Sequence, residues 1–268
     1  MTLISLTQAP KKINFRELTE AAYNAYKVMT PRRIFSVLTN PTDNTKIAKS
    51  AFPTYSVFLS PADSSGYEVC AWRVNDCTNL CLNCAGKGGL NSVQTARIAK
   101  TERLMERPHD WFRSFYHEVN LALKKHGRIA MRMNGTSDLP WEHILPLDFF
   151  GDNAEKIVFY DYTKSFARAR NQDAHFFDLT FSYSGENLRD CLYLLDNQLA
   201  RVAVVFDTKR GKPLPATWRG FEVIDGDLYD SRWHDPKGVV VGLRYKPVMR
   251  DGKWLRASDF VSDFVQRA

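Results

Sequence analysis

Four of the five cysteines of this chain lie within fifteen residues, in the stretch CAWRVNDCTNLCLNC. They are Cys70, Cys77, Cys81 and Cys84, and the glycine-rich segment AGKGG follows at once. Clustered thiolates bind iron–sulfur clusters or zinc, and a chain of this size does not need a framework of disulfides. The stretch therefore predicts a thiolate metal centre. The fifth cysteine, Cys191, is expected to be a small core residue.

Two overlapping triplets of cysteines could hold the metal. Cys77, Cys81 and Cys84 have the spacing C-x3-C-x2-C, whereas Cys70, Cys77 and Cys81 have the spacing C-x6-C-x3-C. Three thiolates from one short loop can bind three irons of a [4Fe–4S] cluster and leave the fourth iron open. A zinc site that uses all four cysteines is the alternative, although zinc sites usually join two close pairs through a longer loop.

Alternating helices and strands must position these cysteines. The first segment with strand character is YSVFLSPA (55–62), and further apolar, β-rich segments lie at 128–134, 156–163, 175–184, 201–208 and 238–246. Helical spacing of apolar residues predicts helices at 14–29, 91–107, 110–125 and 185–199. Continuous apolar strands are typical of parallel sheets that are buried on both faces. We therefore predict an α/β fold, a partial (β/α)6-type barrel of mainly parallel strands with an N-terminal helical extension.

The chain is expected to have two parts, a basic N-terminal extension with one helix at 1–50 and a single α/β domain at 51–268. The extension carries eight Lys or Arg residues and three Asp or Glu residues, and the whole chain has a net charge of +7. This charge favours an anionic partner such as a nucleotide or nucleic acid, although a solvated extension is the simpler interpretation. No apolar run is long enough to span a membrane, and the start does not resemble a signal peptide, so a cytoplasmic location is expected.

Polar segments follow the second, third and fourth predicted strands: NGTSD (134–138), DYTK (161–164) and SYSGEN (182–187). Because the carboxyl ends of parallel strands meet at one edge of a sheet, we predict that these segments and the cysteines line one cavity. Asp161, Tyr162 and Lys164 are candidates for proton transfer or ribose binding. Ser182 and Ser184 are candidates for cofactor contacts.

The cysteine loop resembles that of radical S-adenosylmethionine (SAM) enzymes, both in the C-x3-C-x2-C spacing and in its place after the first of about six strands. The resemblance implies a [4Fe–4S] cluster, an electron donor, and a SAM-binding segment after the second strand. That segment would be Asn134, Gly135, Thr136, Ser137 and Asp138, for which helix capping by Ser137 or Asp138 is an equal alternative. The chain departs from the superfamily at Asn83, where an aromatic residue is usual, and it lacks the usual Gly-Gly-Glu.

A longer pattern resembles that of a phage-encoded family known as the gene product 88 type. It includes the segments CLNCAGKGG, RMNGTSDLPWE and VIDGDLYDSRWHDPKGVVVGLRYK, and it spans about residues 55 to 246. The resemblance implies a phage or prophage protein with one domain. It also implies that Cys70, Cys77 and Cys81 are the steadier cysteines.

The sequence thus predicts a radical SAM-type enzyme that acts on an anionic substrate, with a nucleotide or nucleic acid as the expected class. The alternative is a phage protein that is stabilised by zinc or an iron–sulfur cluster and binds nucleic acid through its basic surface. The acidic segment FEVIDGDLYDSRWHDPKG is expected to be a solvated turn. It carries weaker candidates for a second metal site, namely Asp225, Asp227, Asp230, His234 and Asp235.

Overall fold

The computed structural model of the protein describes residues 15–28, 33–43, 47–50, 52–172, 177–250, 253–259 and 263–268. Parts of four sequence predictions lie outside these residues. They are residues 1–14, 29–32 and 44–46 of the predicted extension, residues 14 and 29 of the predicted first helix, residues 51, 173–176, 251–252 and 260–262 of the predicted domain, and residues 175 and 176 of a predicted strand.

The predicted alternation of helices and strands is present. The α-helices of the described residues are α1 (Phe15–Val28), α2 (Asn75–Asn79), α3 (Asn91–Glu106), α4 (Pro108–His126), α5 (Trp141–Ile144), α6 (Leu147–Asn153), α7 (Phe166–Arg170) and α8 (Leu188–Asp196). The strands are β1 (Thr54–Ser56), β2 (Ile129–Arg132), β3 (Ile157–Thr163), β4 (Phe177–Ser182), β5 (Arg201–Phe206), β6 (Thr217–Trp218), β7 (Phe221–Asp225), β8 (Val240–Arg244), β9 (Val248–Arg250), β10 (Lys253–Leu255) and β11 (Val265–Gln266).

Most of the strands form one sheet in the order β1-β2-β3-β4-β5-β8-β7-β6, with β11 paired to β5. The pairs from β1 through β5 to β8 and β7, and the β11 pair, are parallel, whereas β6 and β7 form an antiparallel pair. A separate antiparallel hairpin joins β9 to β10. The prediction of an α/β fold with a mainly parallel sheet is confirmed, and the closure of this sheet into a barrel stays a prediction.

One face of the sheet is packed under helices. Phe159 of β3 lies in an aromatic layer with Phe149 of α6, Trp111 of α4 and Trp141 of α5, and all four side chains are buried. Successive residues of a strand point to opposite faces, so Tyr160 and Tyr162 lie on the other face of the sheet. We call this second face, which also carries Arg132, the polar face.

The described part of the predicted N-terminal extension packs onto the same aromatic layer. Tyr23 of α1 contacts Tyr116 of α4 and Phe149 of α6, with ring centroids 5.0 and 5.3 Å apart. The hydroxyl of Thr19 donates a hydrogen bond of 2.7 Å to the backbone oxygen of Ile144. The amphipathic spacing of this helix therefore buries one of its faces. No helix of the described residues is both long and apolar enough to cross a membrane.

The prediction of a solvated acidic turn at 221–238 is wrong. Residues 221–225 form β7, which pairs in parallel with β8. The segment that follows lies against the polar face, where Asp230 and Arg232 are fully buried. Asp230 accepts hydrogen bonds from Tyr160 (2.7 Å) and Arg132 (3.1 Å). The burial of Asp230 and Arg232 is tolerated because their charges are paired inside the protein. The polarity of the residues in the sequence does not reveal this pairing.

Candidate functional site

The cysteine loop and the loop after β2 are joined at the carboxyl edge of the sheet. The backbone amide of Asp138 donates to the oxygen of Val69 over 2.8 Å, immediately before Cys70. The Sγ of Cys70 lies 3.8 Å from the oxygen of Thr136 and accepts from the amide of Ala62 over 3.4 Å. Two loops that the sequence predicts at one edge therefore meet in the structure.

Short helical turns shape the rest of the cysteine loop. Cys77 lies in α2, and Cys84 ends a 3-10 helix at Leu82–Cys84. Cys81 caps that turn, because its Sγ accepts from the backbone amide of Asn83 over 3.5 Å. A second 3-10 helix at Gly86–Gly89 leads into α3. The glycine-rich segment is thus the connection between the last cysteine and α3.

Asn83 fastens the loop to α3. Its Nδ2 donates to Oε1 of Gln94 over 2.7 Å, and its Oδ1 accepts from Arg97. Gln94 Nε2 donates in return to the backbone oxygens of Asn83 (2.8 Å) and Gly88 (2.5 Å). Asn83 is only 4% exposed. Gln94 and Arg97 were not predicted as site residues, although their spacing of three on the helix that follows the cysteines places them on one side of it.

The thiols interact with one another. The pKa of Cys70 is raised to about 12, mainly by burial, with Cys81, Cys77 and Asp138 adding to the rise and the backbone amide of Ala62 opposing it. Burial also raises the pKa of Cys81 to about 11, with Cys77 and Cys84 acting in the same direction and Lys164 opposing them. Cys70 and Cys81 are therefore each close enough to another thiol for it to resist their ionisation. A bound cation would remove this resistance.

Two cations accompany the thiols. Burial acts to lower the pKa of Lys164, but the Cys77 thiol and the Asp138 carboxylate outweigh it, so the pKa is raised. Burial lowers the pKa of Arg97, and the thiols of Cys81 and Cys84 oppose the change. The structure therefore brings Lys164, a residue predicted to act in chemistry, to the cysteines.

The loop after β2 is held by hydrogen bonds within the protein. Asn134 Oδ1 accepts from the hydroxyl of Ser137, the amide of Leu139 and the indole of Trp141, at 2.9 to 3.0 Å. The hydroxyl of Thr136 donates to the oxygen of Leu59 over 2.5 Å. The bonds of Asn134 explain the fixed shape of the loop. Gly135 is needed there because a Cβ would lie 2.5 Å from the ring of Phe58.

Asp138 is the acidic end of a buried ion-pair network. Arg168 contacts Asp138 through Nη1 and Glu142 through Nε, both at 2.5 Å, and its side chain is only 5% exposed. Burial raises the pKa of Asp138, although Arg168 and the backbone amide of Lys164 act against the rise. This carboxylate joins the loops after β2 and β3.

Asp161 and its neighbour Tyr162 lie on opposite faces of β3. Asp161 is fully buried and accepts from the backbone amide of Asn134 through both oxygens at 3.0 Å. Burial raises its pKa to about 8 against the effect of Arg132 and that amide. Tyr162 lies on the polar face, where the guanidinium of Arg132 is 4.7 Å from its ring centroid. These two predicted residues therefore do not form a pair.

Ser182 and Ser184 lie at the end of β4, in a turn that Asn187 organises. The Oδ1 of Asn187 accepts from the amide of Ser184 over 2.8 Å, and its Nδ2 donates to the oxygen of Ser182 over 3.0 Å. Ser184 is buried, whereas Ser182 keeps partial exposure. Cys191 of α8 is fully buried, as predicted for a core residue.

The acidic residues considered for a second metal are engaged in ion pairs. Asp225 and Asp227 contact Arg244 at 2.9 and 3.2 Å, and Asp235 contacts Arg232 at 3.0 Å. Within the described parts of the chain, no three His, Cys, Asp or Glu side chains lie together in a metal-binding arrangement.

The donor set of the cysteine loop nevertheless fits a thiolate-bound metal. Four thiols lie on one loop, electrostatic interactions connect them, and Lys164 and Arg97 supply positive charge beside them. Thiolate ligands suit iron–sulfur clusters and zinc rather than magnesium or calcium. The cysteine loop is thus the candidate metal centre of the protein.

One comparison with known proteins gives a match. The model of the family described as gene product 88 matches residues 35–261 of the chain. No curated protein and no solved structure matches it. The family match confirms the resemblance predicted from the segments around the cysteines, the loop after β2 and the segment that covers the polar face. Because the match extends over far more than half of the residues of the chain, the chain belongs to the gene product 88 family.

Proposed function

We propose that the chain is a radical SAM-type enzyme whose cysteine loop binds a [4Fe–4S] cluster. The observation that carries the proposal is the meeting of three loops at one edge of a parallel sheet. The cysteine loop touches the loop after β2 at Thr136 and the loop after β3 at Lys164. Functional loops of parallel α/β folds lie at this edge.

The contacts favour Cys70, Cys77 and Cys81 as the ligands. The thiol of Cys70 interacts with those of both Cys81 and Cys77, and Cys81 interacts with Cys77. Cys84 acts on Cys81 but is not among the main groups that raise the pKa of Cys70. It packs against the apolar cluster of Leu80, Val248 and Val265, as Cys70 packs against the larger core. This choice differs from the C-x3-C-x2-C spacing, which favours Cys77, Cys81 and Cys84. It retains three thiolates and one open iron.

When bound, such a cluster supplies one electron, taken from an external donor, for the reductive cleavage of SAM into methionine and a 5′-deoxyadenosyl radical. The chain's own residues have supporting tasks. Lys164 offsets the negative charge of the thiolates, and Asp138 holds Lys164 beside them. The side chains of Asn134 and Thr136 already bond within the protein, so this loop would present mainly its backbone groups to a ligand.

The carboxyl end of the polar face is the proposed location of the substrate, because the segment after β7 covers the part around Tyr160 and Arg132. Lys164 and Ser182 keep partial exposure at the carboxyl ends of β3 and β4, and the side chain of Arg132 is 17% exposed. The hydroxyl of Tyr162 is buried and has no hydrogen-bond partner among the described residues. Hydroxyl, ammonium and guanidinium groups suit a substrate with an anionic or strongly polar group, such as a nucleotide.

The test is anaerobic purification and reconstitution with iron and sulfide, followed by an assay of the reduced protein with SAM. We expect about four irons per chain and formation of 5′-deoxyadenosine. Stoichiometric zinc without retained iron, and without cleavage of SAM, would overturn the proposal in favour of a zinc-stabilised binding protein. Iron without cleavage would keep the cluster and reject the radical SAM reaction.

A further inference from the structure

An exposed apolar patch lies beside the cysteines. Leu82, between Cys81 and Cys84, is 54% exposed, and Leu90 at the start of α3 is also 54% exposed. Trp254 of β10 is 50% exposed. Single exposed apolar residues are ordinary on protein surfaces, but a group of large ones next to a candidate metal centre indicates an interaction site.

The β9–β10 hairpin brings Trp254 to the cysteine loop. Val248 of β9 forms an antiparallel bridge with Ala85, one residue after Cys84. The Cβ of Met249 lies 3.8 Å from the Cβ position of Gly89. Trp254 is paired directly with Met249, and residues opposite each other in an antiparallel pair share a face. Trp254 and the partly exposed Met249 therefore continue the surface that Leu82 and Leu90 begin.

Among the described residues, a small positive charge lies beside this surface. Lys87 is exposed between Leu82 and Leu90, and Arg256 is exposed just after β10. The exposed Lys253 alternates with Trp254 in β10 and therefore points to the other face of the hairpin. The exposed Asp259, which accepts from the backbone amide of Arg256, partly offsets the charge of Lys87 and Arg256. A small apolar centre with a basic rim is complementary to an acidic protein surface. We define the Leu82 patch as Leu82, Lys87, Leu90, Met249 and Trp254.

We propose that the Leu82 patch is the docking surface for a small acidic protein that donates electrons one at a time. The inference rests on the proposed function, because a reductively cleaved substrate needs such a donor. In each transfer the donor loses one electron and the metal centre gains it, and no covalent bond forms or breaks. Leu82 directly follows Cys81, one of the proposed ligands, so a partner seated here lies beside the thiol cluster.

A binding experiment tests the docking without relying on the cluster. The probe is an isotope-labelled flavodoxin, a small acidic flavoprotein, titrated with the protein as purified and followed by NMR chemical shifts. Electrostatically steered complexes weaken as salt screens the charges. We expect saturable binding with a Kd that rises when the ionic strength is raised.

The double variant Lys87→Glu/Leu90→Ser, which changes two residues of the Leu82 patch, is compared with the wild type. Leu90 is the N-cap of α3, and serine is a favoured N-cap, so the helix should not be weakened. The matched control is Leu121→Ser/Lys124→Glu on α4, where Leu121 is 50% exposed and Lys124 is exposed. We expect the patch variant to weaken binding by about tenfold or more and the control by about twofold or less.

A second measurement separates this inference from the proposed function. With reconstituted protein, the patch variant should slow reduction by reduced flavodoxin about tenfold but leave reduction by dithionite, a small molecule, unchanged. Failure to form a cluster would reject the proposed function and leave the binding result to decide the docking. Three results would overturn the inference. They are no binding of flavodoxin, equal weakening of flavodoxin binding by both variants, and displacement of flavodoxin by a single-stranded oligonucleotide that occupies the patch.

Discussion

The side-chain amide of Asn83 donates a 2.7 Å hydrogen bond to Gln94 and ties the last turn of the cysteine loop to α3. At this position radical SAM enzymes usually carry an aromatic residue. Here the loop is held by a buried polar clamp in which Asn83 also accepts from Arg97. A polar clamp therefore fixes the loop at the position where the resemblance implies an aromatic residue, and the clamp can be tested on stability and on metal content together.

Asn83→Ala should destabilise the protein and reduce its retained iron. The substitution removes the side-chain partner of Gln94 Oε1 and of Arg97, while their bonds to the backbone oxygen of Asn83 remain. A buried unsatisfied group costs about 1 to 3 kcal/mol. Urea unfolding and iron analysis measure the two effects. Asn24→Ala, an exposed change on α1, is the control and should alter neither quantity. Wild-type stability in Asn83→Ala would show that the clamp is not formed.

Gly88→Ala should disturb the same clamp by steric contact. A Cβ at Gly88 would lie 2.6 Å from the backbone oxygen of Asn83, so the backbone must shift. We expect a loss of about 1 to 3 kcal/mol in the free energy of unfolding. Gly151→Ala in α6 meets no atom within 4 Å and should be neutral or stabilising by up to about 1 kcal/mol. Equal stability of the two variants would contradict the close approach.

The ligand assignment predicts different results for two cysteines. Cys70→Ala should lose most of the iron, because Cys70 interacts with both Cys77 and Cys81. Cys84→Ala should keep it, because Cys84 acts on Cys81 and is not among the main groups that act on Cys70. Iron and sulfide analysis after reconstitution checks both, with Cys191→Ala as the control for a buried thiol outside the loop. The reverse result, with Cys84 essential and Cys70 dispensable, would restore the C-x3-C-x2-C assignment.

The sequence predicts the long elements well, because their apolar periodicity is strong. The predicted helices at 91–107 and 110–125 correspond to α3 and α4, and the predicted strand at 156–163 corresponds to β3. The short strands β6, β7, β9, β10 and β11 were missed. Each has five residues or fewer, too short for a period to show, and the pairing of β11 depends on β5, a partner distant in the chain.

The sequence predicts the residues of the site only where the position of a loop in the fold determines its neighbours. The rule that loops meet at the carboxyl edge correctly brings Lys164 and Thr136 to the cysteines. It does not reveal that Asp138 is bound by Arg168, since that pairing depends on the path of α7. Nor does it reveal that Asp161 faces the helices, because a single residue of strand register decides the face.

Arg168→Met should be among the most destabilising single changes in the protein. It removes the charge that pairs with Asp138 and Glu142 and leaves two carboxylates with little exposure, 12% and 18%. Loss of one partner of a buried ion pair costs about 3 to 5 kcal/mol. Arg170→Met, an exposed change on the same helix, is the control for urea unfolding. Similar stability of both variants would show that the network contributes little.

Asp161 should make the protein less stable as the pH rises. Its pKa in the folded protein is about 8, raised mainly by burial, whereas an unfolded aspartate has a pKa of about 3.9. Between these values the folded state holds a proton that the unfolded state has lost. The contribution of Asp161 to the free energy of unfolding therefore falls with pH, by at most about 1.4 kcal/mol per unit, and is constant below about pH 4 and above about pH 8.

Asp161→Asn removes this titration and keeps an oxygen that can accept from the backbone amide of Asn134. The stability of the variant relative to the wild type should therefore increase between pH 5 and pH 8. Urea unfolding of both proteins at pH 5 and pH 8 measures this difference in the free energy of unfolding. Titrating groups that the substitution does not affect contribute equally to both proteins and therefore cancel. A difference that is the same at both pH values, or that shrinks as the pH rises, would show that Asp161 is ionised in the folded protein. The carboxylate would then be stabilised by the Asn134 amide and Arg132 more than it is penalised by burial.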